Sequence, residues 1–420
     1  MKRSARLRGT VVLAAAAMTM ACPALATEGY FALGYGPVQR SQGGAGVANG
    51  TDAMATAMNP AGVATVGNEF SLGLQVFSPS REYTGTGTGF IAPGTVKSDW
   101  PNFLVPNLAW NKVLANGARL NIAAYGNGGM NTSYPAITNT GPGCPGATGI
   151  FCGGKAGVNL SQLFLSVTYA QKIGNISFGI APTFALQGFS ANGLAAFGKY
   201  SSDATRLSDT GTDWSHGFGL RAGMVADIAP GLRWGLSGQT KFSMSRFGKY
   251  SGLFADGGKF DIPAAVTTGL AWDARQDLTL MLDYERIFYS GVPAVSNPFN
   301  GLPLGAAGGP GFGWKDVDVI KLGAAWRSSP VMTWRAGYAY ATNPVQSSQV
   351  TLNILAPGVV RHHFTFGGSY QMDARDTLDF AVEYVPTSSV SGPVPSAFGG
   401  GTVKLSMHQF AASVGWTRKF

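Results

Sequence analysis

The sequence predicts a fourteen-stranded antiparallel transmembrane β-barrel whose N-terminal segment plugs the lumen. Three observations carry this expectation. From Glu69 to the C-terminus, fourteen segments alternate apolar and polar residues with period 2, the pattern of strands with one greasy and one wet face. Their connections fall into very short turns and mostly much longer loops, as in outer-membrane barrels. Ahead of the strands stands a small Gly- and Ala-rich stretch, GGAGVANGTDAMATAMNPAGV at 43–63, with no such alternation.

Composition points the same way. Only 12% of the residues are charged, against about a quarter in soluble domains. That is too little charge to keep so many apolar strand faces in water, which weakens the alternative of a soluble all-β protein. The 60 glycines and 25 phenylalanines suit strands, turns and aromatic surfaces. The formal charge of +9 includes four cations before residue 9, and the rest form no basic run. A nucleic-acid partner is therefore not indicated.

Residues 1–26 read as a secretory signal: Lys2, Arg3, Arg6 and Arg8, an apolar core over 11–22, then Ala24-Leu25-Ala26. Cleavage is expected before Thr27. The rival, lipid attachment at Cys22, places Thr19 where such signals usually carry Leu. The apolar core is too short to cross a bilayer as a helix, and no later stretch reaches the roughly 20 apolar residues required. In the exported chain Cys144 and Cys152 remain, within GPGCPGATGIFCGG. One disulfide bracing that loop is the expectation; two thiols without nearby His or Asp fall short of a metal site.

Residues 27–67 form the expected plug. Asp52 can cap a short helical turn, and Pro60 disfavours helix at Asn59. Strands follow over 69–76, 104–110, 120–124, 163–169, 176–184, 218–224, 232–241, 264–272, 278–289, 316–326, 331–340, 363–372, 377–384 and 403–420. Short turns fall near 115, 173, 230, 275, 328 and 374. The last strand ends on Phe420, with Trp416, Val414 and Ala412 on the same face. This resembles the signal read by barrel-assembly machinery, although Arg418 interrupts it. Because lipid cannot satisfy open backbone groups, such a sheet must close.

Several motifs in order resemble the FadL family of outer-membrane transporters for long-chain fatty acids and other hydrophobic compounds, including its toluene-uptake relatives. Asn59-Pro60-Ala61 is similar to the family's NPA motif and follows GGAGVA at 43–48. DWSHGFG at 213–219 is similar to its DW-x-x-GFG stretch. WGLS at 234–237, running to Lys241, resembles a further strand motif, and WRAGYAY at 334–340 before Asn343-Pro344 resembles another. The resemblance implies a monomeric barrel in the outer membrane, without cofactor, blocked by a movable hatch at 27–67. It implies capture in the extracellular loops, an apolar pocket inside, and a kink in the third strand that opens the wall to lipid. Gln239 and Gly238 depart from the Arg and Tyr frequent in the family, which weakens the case for a fatty-acid carboxylate and favours uncharged substrates.

The candidate residues follow. Gly126, Gly128 and Gly129 at the end of the third strand form either a wall-opening kink or the start of a Gly-rich loop. Leu194 and Phe197 make a capturing lip or an ordinary packed turn. In the plug, Phe31, Met54 and Met58 are adaptable apolar contacts for irregular ligands or for the barrel wall. Arg221, Arg233, Lys241 and Arg335 are expected to face the lumen with Asp283, Glu285, Asp379 and Glu383. They pair with one another there, or Lys241 and Arg335 orient a carboxylate. No G-x-S-x-G or H-E-x-x-H occurs, so catalysis is not indicated. The competing function is a general porin for small polar solutes, with the N-terminal segment as a mere tether.

Overall fold

Residues 28–420 are described by the computed structural model; the signal and Thr27 lie outside them. Fourteen long strands form the wall. They are β1 Glu69–Thr86, β2 Phe103–Val113, β3 Arg119–Asn131, β4 Gly157–Ile173, β5 Ile176–Asn192, β6 Asp213–Ala229 and β7 Leu232–Gln239. The remainder are β8 Ala265–Arg275, β9 Leu278–Ile287, β10 Val317–Arg327, β11 Met332–Ala341, β12 His362–Gln371, β13 Asp376–Pro393 and β14 Thr402–Lys419. Each pairs antiparallel with its sequence neighbour, and β14 pairs with β1, for example Leu72 with Trp416, so the sheet closes. Closure leaves no open edge for lipid to meet. Two short strands that the period-2 reading did not count, Gly94–Lys97 and Ser243–Met244, pair onto β1 and β6.

The alternation sorts side chains by face. On β1, Leu72, Leu74 and Val76 are exposed on the outside, whereas Ser71 and Gln75 are buried inside. The same holds for Phe178 and Ile180, Leu280 and Leu282, and Phe364 and Phe366. An exposed apolar belt on every side is a liability in water and a requirement in lipid. Trp272 and Trp326 stand outward near the short turns, and Trp214, Tyr284 and Tyr384 toward the long loops, as interfacial aromatics do.

Residues 28–67 fill the lumen and are almost wholly buried. They comprise α1, Gly36–Ser41, and two 3-10 turns, Ala53–Ala57 and Pro60–Thr65. Asp52 caps the first turn by accepting from Ala55 N at 3.0 Å. Asn59 caps the second by accepting from Ala61 N at 3.0 Å. Pro60 thus separates two turns and opens the second, where its missing N–H costs nothing. The wall is bare where this segment touches it. A Cβ on Gly223 would sit 1.9 Å from Asn59 Oδ1, and one on Gly337 2.1 Å from Gln42 C.

Over the opposite rim the long loops meet in an aromatic cap. Phe398 packs on Phe197 at 5.5 Å and on Phe299 at 5.2 Å, and Phe90 meets Phe197 at 5.3 Å. Cys144 and Cys152 are joined as a disulfide in this cap, with Cα atoms 5.6 Å apart.

Candidate functional site

The site is the seam between the start of the lumenal segment and β3. The ladder between β3 and β4 steps by one residue between Gly126 and Gly128, leaving Asn127 bulged. A bulge turns backbone groups away from their partner strand, and here the segment at 28–33 takes them. Ala32 N donates to Asn127 O at 3.0 Å, and Gly129 N donates to Tyr30 O at 3.0 Å. Phe31 bridges Gly128 between them. Only glycine fits at that bridge: a Cβ on Gly128 would lie 1.7 Å from Tyr30 O. The Asn127 side chain accepts from Tyr35 OH at 3.0 Å and donates to Gln162 at 3.0 Å.

Tyr30 and Phe31 are held from the other side by rings and one hydroxyl. Tyr289 lies 5.2 Å from Tyr30 and 6.0 Å from Phe31, and Trp314 lies 6.0 Å from Tyr30. Tyr289 OH accepts from Tyr30 N at 2.9 Å and donates to Glu28 O at 2.6 Å. Below, Lys321 Nζ lies 3.0 Å from Glu28 and 2.6 Å from Glu285 and donates to Leu33 O at 3.2 Å. Two carboxylates on one buried ammonium leave no net positive charge there.

A crevice runs from this seam along the wall, lined by Phe31, Tyr35, Met58, Arg221, Gln239 and Lys321 among others. It brings Phe31 and Met58 together. Met54 is buried in the same apolar cluster but does not line the crevice. Arg221 donates to Tyr125 OH at 2.8 Å and lies 5.9 Å from the centre of the Tyr35 ring. No carboxylate reaches it within salt-bridge distance among the described residues, and its Nε has no hydrogen-bond partner.

The other candidates lie elsewhere. Lys241 does not face the lumen. β7 ends at Gln239, Thr240 and Lys241 are both exposed, and Lys241 pairs with Asp261 at 3.6 Å. The strand ladder breaks there because β6 takes Thr240 N at Leu220 O before re-pairing with Ser243, so period 2 cannot be extended to residue 241. Arg335 is buried at the short-turn end, donating to Ser369 at 2.6 Å beside Asp379, in an open polar vestibule with Asp52 and Glu69. It is far from the crevice of Phe31 and Met58, which share no lining residue with that vestibule. Leu194 and Phe197 are buried in the aromatic cap rather than presented at its edge. Gly126, Gly128 and Gly129 sit at the β3 bulge.

Asn59, Pro60 and Ala61 anchor the segment's second half. Asn59 Nδ2 donates to Val47 O at 2.8 Å and to Met224 O of β6 at 3.1 Å. The Pro60–Ala61 peptide lies against Gly179 of β5. Asp283 adds a second clamp, accepting from Gly46 N at 2.7 Å and Val47 N at 2.8 Å. Tyr30, Tyr289 and Lys321 were missed as site residues from the sequence. Lys321 was findable, as a lone cation on the inner phase of VDVIKLGAAW; nothing local marks Tyr289.

A profile of the family described as outer membrane protein transport protein (OMPP1/FadL/TodX) matches residues 35–414, which include the NPA clamp, the first thirteen strands of the closed wall and most of the last. The chain belongs to this family. It is an outer-membrane transport protein, and the family carries hydrophobic compounds. Solved structures share the fold. The toluene transporter TodX of Pseudomonas putida superposes with a TM-score of 0.68 at 18% identity, covering 94% of this chain and 100% of its own. The toluene transporter TbuX of Ralstonia pickettii gives 0.64 at 20%, covering 92% and 99%. A FadL homologue of Pseudomonas aeruginosa gives 0.67 at 14%, covering 93% and 100%. No curated protein matches the chain closely enough to count.

Proposed function

We propose that this FadL/TodX-family barrel passes hydrophobic small molecules inward without energy input, and that residues 27–67 are its gate. The observation that carries this reading is the Tyr30–Phe31 seam on β3. The segment lies on the one place where the glycine bulge interrupts the wall, held there by two backbone hydrogen bonds. Solute captured in the aromatic cap would descend to the crevice of Phe31 and Met58. It would leave sideways to lipid past Gly126–Gly129 when Tyr30 and Phe31 lift away. Transfer between apolar sites shielded from water needs no chemistry, so the barrel has no catalytic role. It works as a monomer whose last strand, ending on Phe420, is read by the barrel-assembly machinery.

Uncharged aromatic hydrocarbons are the first solutes to test. Lys321 is already neutralised by Glu28 and Glu285, and two structural neighbours are described as toluene transporters. A carboxylated lipid is the second reading, favoured by one observation: Arg221 faces the crevice without an ion pair. Uptake into liposomes separates these readings. Toluene should enter vesicles carrying the wild-type barrel while sugars stay out, and rapid sugar entry would establish a general porin instead. Gly128→Val, whose side chain must occupy the place of Tyr30 O, should push Tyr30 off the bulge and raise toluene uptake; unchanged uptake removes the wall opening. Arg221→Gln should leave toluene uptake unchanged and weaken oleate binding about tenfold if the charge anchors a carboxylate. Equal effects on both solutes remove that anchor.

A further inference from the structure

An open groove of about 410 Å³ lies on the outer face of the wall, at the long-loop ends of β4 and β5. Its size falls in the range of ligand sites, but its lining is polar and it shares no residue with the lumenal crevice. The floor is Asn159 of β4, paired with Ser190 of β5, with Asn192 one step higher. One side is Trp100 and the other is Asp209.

These walls are built rather than loose. The chain at 98–100 is laced to the end of β3 by Asp99 N to Ser133 O at 2.8 Å and Ser133 N to Ser98 Oγ at 2.9 Å. Trp100 rests on Phe103 at 5.7 Å with 38% of its surface free. The Asp209 carboxylate is fixed by Gly193 N at 3.2 Å and Asn192 Nδ2 at 3.3 Å.

Height decides what such a groove meets. At ~3.3 Å per residue and ~40° of tilt, Leu163 and Leu186 stand about 25 Å above the short-turn rim, the height of a barrel's apolar band. Asn159 and Ser190, four residues on, stand about 35 Å above it, in the headgroup plane of the outer leaflet. The outward side chains change there from Leu163, Leu165 and Val167 to Asn159 and Ser190. The groove is therefore continuous with the lipid-facing wall below and polar where headgroups lie.

Its chemistry selects among headgroups. Lys155 is offset by Asp99 at 3.6 Å, and Asp209 adds a further negative charge, so an anionic head gains little. Amide and hydroxyl groups beside a half-free indole suit a neutral ring bearing hydroxyls on its edge and C–H groups on its face. We infer that this groove seats the saccharide head of an outer-leaflet glycolipid, with its acyl chains lying on Leu163 and Leu186 below. The inference rests on the membrane placement and not on the uptake route, so failure of one leaves the other standing.

Native mass spectrometry of the full barrel tests it. Detergent-purified protein is equilibrated separately with a diacyl glycolipid bearing a neutral disaccharide head, with phosphatidylethanolamine of the same chains, and with the free disaccharide. One glycolipid should remain per barrel, with the other two probes retained at least about fivefold less. Asn159→Leu should lower glycolipid retention about fivefold. Trp100→Ala, on a loop outside the strands, should do the same in a barrel that keeps its heat-modifiable mobility. Equal retention of the phospholipid would overturn the assignment, as would equal retention of the free sugar. So would retention unaltered in both folded variants, or a pair of barrels joined through this face.

Discussion

The lumenal segment is held in two different ways at its two ends. Residues 46–61 are clamped by two buried side chains: one Asp283 oxygen takes two backbone N–H groups, and Asn59 reaches Val47 and Met224. Residues 28–33 are held by two backbone bonds to β3, the Tyr289 hydroxyl, the Lys321 ion pairs and ring packing. Breaking the first clamp leaves buried polar groups with no partner. Loosening the Tyr30–Phe31 contact alone, with Glu28 kept on its buried Lys321 partner, exposes a bulge whose backbone groups can face water or solute. The proposed gate would need that inequality, with one end fixed while the other moves and the plug stays in place.

The largest break in this comparison should come from Asn59→Ala. It removes the cap on the second turn and leaves the Val47 and Met224 carbonyls short of a donor, at about 1–3 kcal/mol each. The plug should come free of the wall, and sugar should enter liposomes through a barrel that is still heat-modifiable. A variant as sugar-tight as wild type would show that the anchor lies elsewhere.

Next in size is a pH effect at the fixed end. Burial, with Asp379 adding to it, pushes the Asp52 carboxyl up to about 6, against bonds from Gln39 and Ala55 that favour ionisation. The neutral acid is therefore the form that the fold prefers. Its stabilisation is complete below the ordinary value of 3.8 and is lost as pH rises through about 6. Two pKa units correspond to about 3 kcal/mol. Amide exchange at residues 53–58, corrected for its intrinsic rate, should be slower at pH 4.5 than at pH 7.5. Asp52→Asn should flatten the difference, and a flat wild-type profile would contradict the assignment.

The smallest effect should be at residues 28–33. Tyr289→Phe removes the hydroxyl shared by Tyr30 N and Glu28 O, worth about 1–2 kcal/mol, but keeps the ring. Toluene uptake should rise while sugars remain excluded, because the Asn59 clamp is intact. Sugar entry in this variant would mean that the two ends come away together.

Much of the wall was legible because period 2 is enforced locally: each strand in lipid must show apolar side chains on one face along its length. That is why strand number, short and long connections and the inner place of Asp283 and Glu285 could be read directly. It is also why Lys241 was misplaced, since its inward reading assumed a strand that runs on, whereas the ladder breaks after Gln239. Arg335 was rightly put on an inner face, but its height relative to the crevice depends on tilt and stagger. The glycine run at 126–129 announced an irregularity and nothing about which chain segment would fill it.

The sequence by itself therefore determined an exported, closed, fourteen-stranded wall with a capped, strand-free segment before it, because alternation, turn chemistry and low charge are properties of neighbours in the chain. The tertiary structure alone decided that Phe31 bridges Gly128, that Glu28 and Glu285 share Lys321, and that Asn159 and Ser190 line one groove. Those groups are brought together by closure of the sheet and its stagger, which no short stretch of sequence encodes.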